Sequence, residues 1–417
     1  MDIYCGIDFG TTNTVVSISS RKGDLIDSFS LATTIFIPFE NQGISKVYIG
    51  SNALEHYESG KPGRFIHSIK RSLSDRYLQH TTINRTYVKL EQLICYFLME
   101  LKKLIVDKWG IEPKNIVLGR PVKFSLNEDD NLLANERLLK SFRLAGFEGI
   151  TQLEEPVAAS LCFEEFFKSD DKSFLIIDLG GGTSDFSLVE RHEGQSGIKK
   201  YSIKSIDGID IGGDNFDEHI MFSSLSPQLG IDSTFESFDR RLPMPVHLYK
   251  DVCRWNAMHL YDKKKLADEF GDYLYKSSDP IAVRRLRAII ENKFSHKLLD
   301  SVRHSKHELS LQREAEISFN ELDLGISKRI SREDLSSILN KPVNSVIDIL
   351  EKTIGGKQGY DSVDRFILTG GSSRVSYIEK SVKAKAGRDK VMMDSNFYDS
   401  VSRGLSLYAY YNKISIV

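Results

Sequence analysis

A chain of 417 residues is longer than one ordinary hydrophobic core supports and suits two lobes. Apolar residues make up 41%, enough to fill both, and a formal charge of −2 leaves no net field to gather nucleic acid or anionic lipid, so neither is an expected partner. Cys5, Cys95, Cys162 and Cys253 stand far apart with no C-x-x-C pair, and no apolar run reaches bilayer length, which reads as a reduced, cytoplasmic, soluble protein.

Met1-Asp2 runs straight into β-branched strand text, Ile3 to Ile7, so no leader peptide is expected. After a polar turn, Val15 to Ile18 reads as the returning strand. Leu90, Leu93, Ile94, Phe97, Leu98, Leu101 and Leu104 recur at helical spacing, and Ile116 to Leu118 follows as a buried strand. Asn131 to Leu144 reads as a helix stopped by Gly146. Phe174 to Ile177 and Phe186 to Val189 form a second strand pair. From Phe216 to Leu311 the text is helical and rich in both charge signs. A last strand, Arg365 to Leu368, leads into a glycine turn and helices to the end. Strands alternating with helices predict an α/β fold.

The chain echoes itself. Ile7-Asp8-Phe9-Gly10-Thr11-Thr12-Asn13 reappears as Ile177-Asp178-Leu179-Gly180-Gly181-Gly182-Thr183, each copy flanked by strands. A hairpin used once in each half implies two lobes of similar topology facing one another. The competing reading is two unrelated tight turns, for which Asp and Gly are ordinary residues.

Such hairpins suit a triphosphate. Glycine turns let backbone N–H groups converge on an anion, and Thr11, Thr12 and Thr183 add hydroxyls there. Magnesium is held by one or two carboxylates together with phosphate oxygens, and Asp8 and Asp178 sit at equivalent strand ends where they could share one ion. No G-x-x-x-x-G-K-[ST] segment occurs, which excludes a P-loop NTPase. In a third glycine turn, Thr369-Gly370-Gly371-Ser372-Ser373-Arg374, the glycines would let a nucleoside lie against backbone and Arg374 could stack on the base.

The set Gly6 to Asn13, Ile69-Lys70-Arg71, Glu155-Pro156-x-Ala158-Ala159, Asp178 to Thr183 with Asp185, and Gly370-Gly371-Ser372-x-Arg374 resembles the nucleotide-binding domain of DnaK-type heat-shock chaperones. That resemblance implies a two-lobed actin-like ATPase fold of duplicated ribonuclease H-like domains, with the nucleotide in a cleft between lobes. Lobe I would span 1–172 with an insertion at about 37–114; lobe II would span 173–394 with a helical insertion at about 215–341. A C-terminal helix within 395–417 would return to lobe I.

ATP or ADP with Mg2+ would be the cofactors. Asp8 and Asp178 would position hydrated magnesium. Gly10, Thr11, Thr12, Asn13, Gly180, Gly181, Gly182, Thr183 and Asp185 would hold the phosphates, Lys70 would reach the γ-phosphate, and Glu155 would orient the attacking water. Asp178 and Thr183 are thereby catalytic candidates as well. Gly212, Gly213, Lys306, Ser310, Gly370, Gly371, Ser372 and Arg374 would line the nucleoside pocket.

The sequence departs from the family at Arg303, His307 and Tyr398, around the adenine, and has Asp129 where a relay arginine is expected after Pro121. It stops at Val417, as in the truncated, YegD-like branch without a peptide-binding domain. Blander assignments stand beside these. Lys70 also belongs to a basic stretch with Lys61, Arg64 and Arg71; Glu155 could merely start a helix; Asp185 and Asp214 could cap turns. His296, His304 and His307 lack a complete ligand set and read as solvated or packed. The function expected is a slow magnesium-dependent ATPase whose lobe closure switches a protein partner. A nucleotide sensor, a sugar-kinase-like phosphotransferase and a filament-forming actin relative are the alternatives.

Overall fold

A computed structural model describes residues 3–20, 24–193, 200–237, 240–254, 270–271, 273, 275–393 and 399–414, with Arg374 and Ser376 described by backbone alone. Its chain divides into two compact units. The first comprises Met1–Gly208, Ile349–Gly371 and Lys385–Val417; the second comprises Ile209–Asp348 and Ser372–Ala384.

Two five-stranded sheets build the first unit, and both grow around an opening hairpin. In the first, Tyr4–Phe9 pairs antiparallel with Asn13–Ser19, which carries Leu25–Ala32 on its outer side. On its other flank, Tyr4–Phe9 pairs parallel with Asn115–Arg120, and that strand pairs parallel with Gly149–Glu154. In the second sheet Ser173–Leu179 takes the central place, with Ser184–His192 and Lys200–Ile209 on one side and the parallel strands Arg365–Thr369 and Val391–Met393 on the other. Numbered from its own first strand, each sheet has the order 3-2-1-4-5. The sequence echo is therefore a repeat of the whole sheet. Both central strands are covered on two faces, which shows as an unbroken run of buried residues: Tyr4 to Ile7 in one, Phe174 to Ile177 in the other.

The helices Leu90–Trp109 and Glu128–Leu144 bury an aromatic cluster in which the rings of Phe97 and Phe142 stand 5.8 and 6.2 Å from Phe9. The second helix starts earlier than its apolar spacing suggests. Asn127 caps it by accepting the Asp130 N–H, and Glu128, Asp129 and Asp130 fill its first turn, where the helix dipole favours acid.

The helix Ser400–Tyr411 ties the unit together through paired hydroxyls: Ser402 to Ser17, Ser406 to Ser19 and Ser400 to Thr369, each at 2.6 Å. It also crosses the helix Glu155–Cys162 so closely that a Cβ on Gly404 would stand 1.8 Å from the Ala158 carbonyl oxygen. Backbone cannot yield there. Gly404→Ala is expected to lower stability by on the order of 1–3 kcal/mol or more, read as a reduced urea midpoint; an unchanged midpoint would show that the helices separate freely.

In the second unit the expectation of continuous helix from Phe216 to Leu311 is corrected. The helices Gly213–Leu225, Val246–Val252, Pro280–Glu291 and Ser295–Leu311 are present, but a hairpin, Thr234–Ser237 with Arg240–Pro243, interrupts them. Its strands hold Thr234, Phe235 and Leu242 and end at Pro243, which has no N–H to continue a helix. A second hairpin, Glu314–Phe319 with Ile326–Ser331, follows the last helix. Trp255 and Asn256 of this segment lie outside the described residues.

Candidate functional site

The two hairpins of the first unit carry their candidates in matched register. Asp8 is the next-to-last residue of Tyr4–Phe9 and Asp178 that of Ser173–Leu179. The turns that follow, Gly10 to Asn13 and Gly180 to Thr183, have equal length, closing on the pairs Phe9–Thr14 and Leu179–Ser184. The turns also meet: a Cβ on Gly181 would lie 2.2 Å from Thr12 Oγ1, so only glycine admits the threonine. That hydroxyl is buried and has no hydrogen-bond partner among the described residues. A buried hydroxyl without a partner costs about 1–3 kcal/mol, which a phosphate oxygen accepting from it would offset.

Lys70 comes from the 3-10 helix Ile69–Ser74, and Glu155 is the first residue of Glu155–Cys162. Their Nζ and Oε1 atoms are 2.9 Å apart, with side chains only 10% and 17% exposed. Glu155 does stand at a helix start beside Pro156, as the simpler reading has it, yet it also meets a lysine distant in sequence.

Burial, reinforced by Glu155, pushes the Asp8 carboxyl up to about 7 against the pull of Lys70. Burial, then Asp185, Glu155 and Asp8, pushes Asp178 well above the usual carboxylate range. Burial opposes the charge of Lys70, but Glu155, Asp8 and Asp185 together hold its ammonium above its ordinary value. Four carboxylates thus share the influence of one lysine, an arrangement short of positive charge. Among the described residues no group of three or more His, Cys, Asp or Glu side chains could by itself hold a metal. A magnesium ion that keeps its waters and takes its remaining ligands from one or two carboxylates and phosphate fits this donor set.

Asp185 pairs in register with Asp178 and accepts the Thr183 hydroxyl at 2.9 Å. Gly370, at φ 79°, lies so near Asp178 that a Cβ would come within 2.5 Å of Oδ1; its conformation and its position both call for glycine. Gly371 belongs to the same unit.

The remaining nucleoside candidates belong to the second unit. Gly212 and Gly213 open the helix Gly213–Leu225, and Lys306 and Ser310 lie on Ser295–Leu311. Lys306 is buried and forms an ion pair with Asp217 at 2.6 Å, its Nζ also 3.5 Å from the Gly213 carbonyl. Arg303 spreads over Asp300 at 2.6 Å, Asp217 at 3.5 Å and Asp214 at 3.9 Å. Ser372 is buried, while the Arg374 side chain and Tyr398 lie outside the described residues. His296 and His304 turn Nδ1 to the carbonyls of Lys293 and Asp300 on their own chain segment.

Three residues that sequence reasoning gave no role belong to these clusters. Thr33 donates its N–H to the Thr12 carbonyl at 2.8 Å and its hydroxyl to the Gly10 carbonyl at 3.0 Å. Arg71 donates from Nη2 to the Gly182 carbonyl at 2.8 Å. Asp217 gathers Lys306 and Arg303. Arg71 stood within a quoted motif; nothing in the sequence set Thr33 or Asp217 apart.

Two sheets of one topology, each led by an aspartate-bearing hairpin, define the actin-like ATPase fold class. Residues 91–226 and 282–409, more than half of the chain, match the family described as Hsp70 protein, and the chain belongs to that family. It is 25% identical over 395 residues to chaperone protein DnaK of Thermosipho africanus, covering 92% of this chain and 55% of the relative. The DnaK of Thermotoga neapolitana is 24% identical over 400 residues, and that of Mycoplasmopsis agalactiae 29% over 224. The chain spans about half the length of the Thermosipho and Thermotoga relatives. This homology supports a chaperone-type ATP-binding domain. Among the described residues no helix is long and apolar enough to cross a membrane.

Proposed function

We propose that this chain is a slow, magnesium-dependent ATP hydrolase that binds ATP and ADP. Its lobes, residues 1–172 and 173–394, would close on the nucleotide and switch a protein partner in the cytoplasm. The observation that carries this reading is the buried Lys70–Glu155 pair, set among Asp8, Asp178 and Asp185. A binding module has no need of a lysine–carboxylate pair beside a triphosphate, whereas hydrolysis needs both a cation and an oriented water.

When bound, magnesium would neutralise charge on the phosphate oxygens. Asp8 and Asp178 would hold it, and the turns Gly10 to Asn13 and Gly180 to Thr183 would receive the phosphates with the Thr12 hydroxyl and with amides other than that of Gly180, which donates to the Thr183 carbonyl at 3.0 Å. Lys70 would stabilise charge on the transferring group, and Glu155 would hold water in line and accept its proton. Water, rather than a sugar hydroxyl, is the acceptor this pair suits. Phosphate release measured with and without magnesium, beside calorimetric titration of nucleotide, tests the proposal. Binding without any magnesium-dependent release would make the protein a sensor.

Recognition of the base is expected to be loose. Lys306 and Arg303 are already engaged by Asp217, Asp300 and Asp214, so little cationic reach is left for a purine edge. Affinity should then rest on phosphates and metal. Competition binding should give a preference for ATP over GTP below about a thousandfold, or about 4 kcal/mol; a larger ratio means the base pocket is fully selective.

A further inference from the structure

The two phosphate turns invite comparison position by position. Gly10, Thr11, Thr12 and Asn13 correspond to Gly180, Gly181, Gly182 and Thr183. In the first turn the carbonyl of Thr12 is held by the Thr33 N–H at 2.8 Å, and that of Gly10 by the Thr33 hydroxyl at 3.0 Å. A trans peptide is planar, and its C=O and N–H point in opposite directions. Fixing those carbonyls on Thr33 therefore presents the N–H groups of Thr11 and Asn13 on the opposite side of the turn.

In the second turn the equivalent carbonyl, Gly182, accepts from Arg71 Nη2 at 2.8 Å. A holder matters in this turn. Three consecutive glycines, Gly180, Gly181 and Gly182, adopt positive and negative φ with almost equal ease, so their peptide planes turn over at little cost. A plane turned the wrong way would point a carbonyl, not an amide, at a phosphate. The guanidinium lies directly over this position: a Cβ on Gly182 would fall 1.9 Å from Nη2 and 2.8 Å from Cζ. Glycine is thus needed at 182 for the arginine to reach the carbonyl, and the arginine is needed to fix the glycine.

We propose that Arg71 is a positioning residue for the phosphate site: by holding the Gly182 carbonyl it fixes the Gly182–Thr183 peptide plane and presents the Thr183 N–H to the nucleotide phosphates. This rests on the nucleotide reading above. Arg71 acts through Thr183 and touches neither the transferring group nor the water. It does for the second hairpin what Thr33 does for the first, from the 3-10 helix that also carries Lys70. Anything that moves this helix moves a catalytic candidate and a phosphate donor together.

The test is calorimetric titration of Mg-ADP and Mg-ATP into the full chain carrying Arg71→Ala or Arg71→Lys, at low and high salt. Thermal melting and the Thr183 amide resonance are recorded on the same preparations. Arg71 is exposed, so both variants should melt with the wild type. Arg71→Ala is expected to weaken both nucleotides about tenfold or more at either salt concentration, and to shift or broaden the Thr183 amide before any ligand is added. Arg71→Lys, with a shorter donor that lacks the planar fork, should restore only part of the affinity. Full recovery by lysine, or a loss that disappears at high salt, would mean that Arg71 supplies charge and positions nothing. Affinity within twofold of wild type in Arg71→Ala overturns the proposal alone, and a wild type that binds no nucleotide overturns the site reading with it.

Discussion

Replacing Lys70 by Ala, or Glu155 by Gln, is expected to lower hydrolysis below detection while shifting the dissociation constant for Mg-ATP less than about tenfold, or 1.4 kcal/mol. Neither residue belongs to the turns that would receive the phosphates, so neither should dominate ground-state affinity. Both would act on charge and water in the transition state, where losing one preorganised group costs about a hundred- to a thousandfold. The 2.9 Å pair couples the two substitutions. Glu155→Gln keeps an oxygen to accept from Lys70 and leaves the lysine placed, whereas Lys70→Ala removes the cation that four carboxylates share. The alanine variant should therefore also lose stability, and melting must be read beside single-turnover rates. A wild type that hydrolyses no faster than either variant would end the enzyme reading.

Asp178→Asn carries the second large effect. Its carboxyl is buried among Asp185, Glu155 and Asp8, so desolvation and then three like charges make its ionised form costly in the folded protein. An amide of the same shape removes that repulsion. The variant should melt at or above the wild-type temperature and yet lose most of the affinity that magnesium adds to nucleotide binding. Opposite signs on stability and function separate a ligand-holding carboxylate from a structural one, which would lose stability when neutralised. Titrating ATP with and without magnesium supplies the readout. A folded Asp8→Asn, Asp178→Asn double variant with unchanged Mg-ATP affinity would remove both residues from the site.

The central strands and their hairpins were legible in the sequence because burial on both faces leaves short, nearly uncharged runs, Tyr4 to Ile7 and Phe174 to Ile177, and because Asp-x-Gly turns repeat visibly. The long helix Leu90–Trp109 was legible from its periodicity. Small strands were not. Arg240–Pro243 is exposed at every residue, so no alternation marks it, and charged neighbours gave it the look of helix. Glu314–Phe319 does alternate, burying Ala315, Ile317 and Phe319, but it lies just after a long helical run whose pattern dominates any window around it. At the site, the matched register of Asp8 and Asp178 follows from the repeat itself. The meeting of Lys70 with Glu155 does not: they lie on a 3-10 turn and a helix start that only the tertiary fold brings together. Thr33 and Arg71 act by holding backbone carbonyls, a role that leaves no chemical signature in a string of letters.

The serine pairs on Ser400–Tyr411 have a polarity of their own. Ser402 Oγ donates to the Asp399 carbonyl at 3.1 Å, and Ser406 Oγ to the Arg403 carbonyl at 2.8 Å. A hydroxyl has one proton to give, so when the helix serines give theirs to these carbonyls they accept from Ser17 and Ser19. Each contact is thus a one-way chain, from strand hydroxyl to helix hydroxyl to helix carbonyl. The two members of a pair are unequal for that reason. Without Ser17 or Ser19, the helix serine still spends its proton on its own backbone. Without Ser402 or Ser406, the buried Ser17 or Ser19 hydroxyl loses the acceptor that the helix offers it.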